Sequence, residues 1–164
     1  MEAQVALLMG SNSDLQKIQG CIDTLKKLGL GCEVRVMSAH RTPDKVAEFS
    51  ENAASRGIKV LIAAAGGAAH LAGAVAARTL LPVIGIPVEG GALNGLDALL
   101  STVQMPGGIP VATVGIGSGG ATNAALLAAQ IIAVTDADVR ARLQADRDKR
   151  REKVLAADAE IVNQ

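Results

Sequence analysis

Residues 4–37, QVALLMGSNSDLQKIQGCIDTLKKLGLGCEVRVM, hold the pattern that decides the fold. Gln4–Met9 is a short continuous apolar run, as expected of a strand buried on both faces. After Gly10-Ser11-Asn12-Ser13, the segment Asp14–Leu28 carries Leu15, Ile18, Ile22, Leu25 and Leu28 at helical spacing, and Gly29 stops it. Cys32–Met37 is a second strand. A strand, a helix and a strand within 34 residues make the unit of a parallel sheet.

The unit repeats along the chain. Thr42-Pro43-Asp44 supplies an N-cap, a proline at the first helical position and an acid in the first turn of a helix running to about Arg56 and Gly57. Val60–Ala64 reads as a third strand ending in Gly66-Gly67, and Ala68–Leu80 as a helix. A fourth strand lies within Pro82–Pro87. A short helix follows at Leu96–Thr102, then a fifth strand at Val111–Ile116 and an alanine-rich helix at Asn123–Ala133. The expectation is a flavodoxin-like, doubly wound, parallel five-stranded sheet in three α/β/α layers, over residues 1–135.

The tail over residues 136–164 differs in kind. Fourteen charged residues, seven of each sign, fall between Asp136 and Glu160. Gln144–Lys153 has Ala145 as its one apolar residue, so it cannot be buried all round. A long C-terminal helix with a solvated middle is expected, its start marked by a capping box of Thr135 and Asp138. Its apolar end (Val154, Leu155, Ile161, Val162) calls for a surface on a neighbouring subunit. With the almost wholly apolar helix at 123–133, it points to a homo-oligomer.

Composition excludes several classes. Sixteen basic and sixteen acidic residues cancel, so no net field favours nucleic acid or an anionic membrane. With no Trp, no Tyr and one Phe, the chain has no platform for stacking exposed bases or a flavin ring. Cys21 and Cys32 lack the spacing of a redox or zinc pair and read as buried free thiols in a reducing compartment. The N-terminus lacks the basic region of a signal peptide, and no apolar stretch reaches membrane-spanning length. A cytoplasmic protein without nucleic-acid or membrane partners is expected.

In a doubly wound sheet, ligands sit beyond the carboxyl ends of the strands. That rule selects Gly10–Asp14, Ser38–Arg41, Ala65–His70 and Val88–Gly91. The first offers backbone N–H groups and Ser11 and Ser13 hydroxyls to an anion, and Asp14 to ribose hydroxyls. Ordinary helix capping explains the same residues, and for the segment alone it is the simpler reading. Arg41 offers a planar, permanently charged fork for phosphate. His40 has an intrinsic pKa of about 6.5, suited to proton transfer near neutrality, though a capping role is also open. The Ala/Gly run 63–69 would let a planar ligand lie against backbone. His70 reads equally as a ligand contact or a structural residue. Two histidines without an acidic cluster make a weak metal site, and no metal is expected.

Read together, MGSNSD, SAHRTPD, AAAGGAAHLAG, ALNGLDALLSTVQMPGGIPVATVGIG and NAALLAAQI resemble one family. It is the class I N5-carboxyaminoimidazole ribonucleotide mutases of bacterial purine biosynthesis, also called the catalytic subunit of phosphoribosylaminoimidazole carboxylase. The resemblance spans roughly residues 4–133. It implies a flavodoxin-like octamer with active sites near subunit contacts. It also implies transfer of a carboxylate from the exocyclic nitrogen to ring carbon C4 without metal or organic cofactor. By position, Ser11, Ser13, Ser38 and Arg41 match residues holding the phosphoribosyl group, and Asp14 matches the ribose-binding residue. His40 matches the catalytic histidine, and 65–70, with Gly66, Gly67 and His70, match the wall around the imidazole and the migrating carboxylate. Gly90, Ser118 and Ala72 depart from that family's common Ser/Thr, Lys and Pro. The rival functions are an aminoimidazole ribonucleotide carboxylase taking CO2 directly, a non-catalytic flavodoxin-like module for FMN or a nucleotide, and a structural oligomer that has lost activity.

Overall fold

The structure, a computed structural model, describes residues 2–162. Five strands, β1 (Ala3–Met9), β2 (Gly31–Val36), β3 (Val60–Gly66), β4 (Val83–Val88) and β5 (Ala112–Thr113), form one parallel sheet in the order β2-β1-β3-β4-β5. This is the flavodoxin-like order, with its switch point between β1 and β3. The helices are α1 (Leu15–Lys27), α2 (Pro43–Asn52), α3 (Leu71–Ala76), α4 (Leu96–Val103), α5 (Ser118–Ala133) and α6 (Ala137–Val162).

Alternation along the strands sorts the core into two layers. Val5, Leu7 and Met9 face α1 and α5, meeting Ile18, Cys21, Leu25 and the alanines of α5. Ala6 and Leu8 face the other way, toward Val46 and Phe49 of α2 and Leu71 and Val75 of α3. Both sets are fully buried, so truncating Leu7 or Leu8 to Ala would cost about 2–5 kcal/mol. Small residues replace aromatic bulk by letting helix and sheet come close. At Gly120 an added Cβ would lie 1.6 Å from the Gly115 carbonyl oxygen, so no larger residue fits where α5 crosses the end of β5. Phe49 lies between two guanidinium groups, Arg56 at 4.9 Å and Arg35 at 5.7 Å from the ring centre.

Gly29 takes φ +67° and ends α1 as expected, with Leu30 N–H donating back to Leu25 O. Burial pushes the Cys21 thiol up to about 12 and the Cys32 thiol up to about 11, which keeps both protonated near neutrality.

Several elements differ from the sequence reading. The helix expected over Ala68–Leu80 is only Leu71–Ala76. Pro82 disfavours helical backbone at Leu81, whose N–H is taken by the Thr79 hydroxyl, and Ala68–His70 is held as a loop. The fifth strand shrinks from Val111–Ile116 to two residues because it is an edge strand, and Gly115 is drawn beneath Gly120. The next helix correspondingly begins at Ser118 rather than Asn123. The expected Thr135–Asp138 capping box is shifted by one position: Asp136 accepts the Val139 N–H at 3.0 Å, while the Thr135 hydroxyl turns back to Ile132 O.

Two arginines near the start of α6 cap other helices. Arg140 donates to the Ala133 and Val134 carbonyls that end α5, and Arg142 donates to Leu28 O at the end of α1. Cations there also complement the negative helix ends. Asp146, 7% exposed, accepts from Lys27 and from Arg150. From Arg147 to Val162 every residue of α6 is exposed.

Candidate active site

The crevice beside the switch point is a cleft of about 280 Å³. Loops after β1, β2 and β3 line it, with Leu71 at the start of α3 forming part of its wall. Of the sequence-selected residues, Ser11, Asp14, Ser38, His40, Arg41, Gly66 and His70 reach it. Ser13 and Gly67 do not line it. Ser13 donates through its hydroxyl and its N–H to Ser11 Oγ, at 2.9 and 3.3 Å, so Ser11 both faces the cleft and caps the turn Asn12–Asp14. The fourth loop, after β4, also stays outside. Lys17 of α1 holds it by donating to Glu89 O at 2.6 Å.

The loop carrying His40 is wound around one serine. Ser38 Oγ accepts the N–H groups of His40 and Arg41, at 3.3 and 3.2 Å. Thr42 closes the turn: its hydroxyl accepts Ser38 N–H at 2.9 Å and donates to Ser38 O at 3.2 Å. Thr42 does occupy the N-cap position of α2, but its side chain makes no helix cap. It is committed to the loop after β2 instead. The Arg41 guanidinium reaches across the cleft floor to Gly10 O at 3.2 Å, tying the β2 loop to the end of β1.

His40 and His70 meet edge to face, with ring centres 4.9 Å apart and planes at 85°. His40 Nε2 lies 2.8 Å from His70 Nδ1. At that separation one nitrogen carries the hydrogen and the other accepts it, so the pair holds one proton between two rings. Both rings are exposed toward the cleft mouth, where a ligand can reach them. Ala39, Ala65, Gly66 and Ala68 give walls without functional groups. Burial raises the pKa of Asp14 above the ordinary carboxylate value, with Lys17 and a backbone hydrogen bond at Ser11 opposing it.

Sequence reasoning missed the contact with Leu71 and the supports at Thr42 and Lys17. Thr42 reads as a helix cap, and the helical spacing of α1 gives Lys17 no signal.

The AIR carboxylase family model matches residues 4–153. The chain is 52% identical over 162 residues to an N5-carboxyaminoimidazole ribonucleotide mutase of Bacillus subtilis, covering 99% of this chain and 100% of that one. It is also 52% identical to the enzyme of that name from Escherichia coli K12, covering 93% and 90%. Among solved structures, PurE of Treponema denticola superposes with a TM-score of 0.87 at 29% identity, over 95% of this chain and 96% of that one.

Proposed function

This chain belongs to the AIR carboxylase family, and from that premise we propose that the cleft isomerises a ribosyl-imidazole carbamate, with His40 as the acid and base. The activity is that of an N5-carboxyaminoimidazole ribonucleotide mutase in purine biosynthesis. The residue roles are our reading of the geometry. Arg41, Ser11 and Ser38 line the cleft with groups suited to holding a phosphoribosyl group, and Asp14 lines it with a carboxyl suited to ribose hydroxyls. Ser13 supports Ser11, and Gly66 gives the base ring a flat wall.

The chemistry balances with one proton. His40 donates to the carbamate nitrogen, the N–CO2 bond breaks, and CO2 leaves a neutral amine. CO2 stays beside the ring because the alanine and glycine walls offer it nothing to react with. C4 attacks it, forming the new C–C bond. The now neutral His40 removes the C4 hydrogen and restores aromaticity. Holding CO2 against C4 is a proximity effect, and a positioned acid–base group typically contributes 10²–10⁴-fold. The observation that carries the assignment is the 2.8 Å contact between His40 and His70 at the mouth of this cleft. His70 is there to receive or return a proton and to fix the orientation of the His40 ring.

His40→Asn tests it. Conversion of the carbamate to 4-carboxy-5-aminoimidazole ribonucleotide should fall by about 10²–10⁴-fold, with ribotide binding still measurable by calorimetry. A variant with near-native turnover overturns the assignment.

We propose assembly as a homo-octamer in the cytoplasm. Leu96, Leu100 and Val103 form an exposed apolar stripe on α4, and Val154, Leu155, Ile161 and Val162 are exposed on α6, which suits both surfaces to other copies of the chain. Among the described residues no helix is long and apolar enough to cross a membrane.

A further inference from the structure

Helix α4 does not line the cleft, yet two of its hydroxyls grip the loop that ends at His70. Ala69 is 1% exposed, and its N–H donates to Ser101 Oγ at 3.0 Å. The Ser101 hydroxyl is itself committed to Asp97 O at 2.7 Å, one helical turn back, which turns an acceptor lone pair toward Ala69. Beside it, the hydroxyl of the buried Thr102 donates to Ala98 O at 2.7 Å and lies 3.5 Å from Ala69 O. His70 N–H closes a tight turn onto Ala68 O at 2.8 Å.

The grip lies just before the start of α3. The sequence AAHLAGAVA has no helix breaker before Gly73, and its pattern supports a helix from Ala68. The Ala69 N–H, which would have no partner inside such a helix, is bonded to Ser101 on α4, and the helix begins at Leu71. His70 is left at the N-cap position with a side chain that makes no cap hydrogen bond, free to meet His40.

We propose that Ser101 is a positioning residue of this enzyme: by holding the Ala69 N–H it fixes the His70 ring, and through His70 it orients His40. The proposal rests on the acid–base reading of His40 given above. It differs from a packing role because Ser101 meets the 67–69 loop through directional bonds, to Ala69 N–H and Gly67 O, and adds almost no apolar surface. Without the acceptor, the buried Ala69 N–H is left unpaired unless the segment moves to reach another partner. His70 is the next residue, so a shift of Ala69 carries Nδ1 of His70 away from its 2.8 Å contact with His40.

The chain has two histidines, both in this contact, so ¹⁵N-histidine labelling reports each ring separately. Ser101→Ala should shift the His70 ring resonances. It should lower kcat about 10- to 100-fold, the scale of a small misplacement of reacting groups, while KM for the ribotide stays within about threefold. Ser101→Thr, which keeps the hydroxyl, should recover most of the rate. In a His70→Asn background, Ser101→Ala should add less than about twofold, because the two act in series. If Ser101→Ala folds poorly, Ser101→Cys keeps the volume with a far weaker acceptor and gives the same reading. Native kcat with unmoved His70 resonances overturns the proposal, as does an equal loss with and without His70. A wild-type protein that failed to isomerise the carbamate would overturn the acid–base reading, and the His70 resonances in Ser101→Ala would still decide whether Ser101 positions that ring.

Discussion

The cleft loops and the far half of α6 are both exposed and polar, yet they are placed by different forces. In the cleft, neutral hydroxyls and backbone groups bond over short spans: Thr42 to Ser38, Ser38 to His40 and Arg41. Such bonds are directional, and each adds only about 1 kcal/mol to stability. They set angles. Helix α6 is instead attached at its base by the buried Val139 together with charges, through Arg140, Arg142 and the Lys27–Asp146–Arg150 cluster, and then runs on through sixteen exposed residues. Those contacts set where the helix leaves the domain and leave its far end to whatever covers it. Damage to the first region should therefore appear in rates, and damage to the second in stability.

The largest effect that would sharpen this contrast is at Arg41. Arg41→Ala removes the guanidinium fork and should raise KM about 10- to 100-fold, the worth of a charge-assisted pair with phosphate, with little change in melting temperature. Steady-state kinetics beside thermal unfolding checks both. Thr42→Val should act next, lowering kcat/KM about tenfold by releasing Ser38 while keeping side-chain volume, and Thr42→Ser should restore it. A Val variant with unaltered kinetics would break the claim that the hydroxyl bonds set the geometry.

At the other region, Asp146→Asn should lower unfolding free energy by about 1–2 kcal/mol, read by denaturant titration. The hydrogen bonds from Lys27 and Arg150 hold the Asp146 carboxyl below its usual range. An acid depressed in the folded state contributes stability above its unfolded pKa of about 3.9 and loses it as pH falls through the folded value. The wild-type advantage over Asp146→Asn should thus be full above about pH 5 and shrink in more acidic solution.

The contrast also explains what could be read in advance. The doubly wound parallel sheet and the loops after β1 to β3 follow from apolar runs alternating with helical spacing, because core burial imposes those periods. The family resemblance likewise matches what the relatives show. What periodicity cannot carry is a hydroxyl that leaves its local role for a distant backbone group. Thr42 reads as a helix cap and turns to Ser38. Ala68–His70 read as helix and form a loop whose Ala69 N–H bonds Ser101, thirty-two residues later. Two-residue β5 was overestimated for a related reason: Val111–Ile116 has strand-like residues, but an edge position supplies one neighbour and Gly115 belongs to the crossing with α5.

Phe49, lodged between Arg35 and Arg56, is the sole aromatic ring besides the histidines. The protein is therefore nearly dark in the near ultraviolet and has no tryptophan fluorescence. Concentrations read from absorbance would be badly wrong, and unfolding must be followed by circular dichroism or calorimetry. The same darkness is an advantage at the bench. An imidazole ribotide can be watched directly against enzyme at equal concentration, so a single turnover is open to optical measurement without a label.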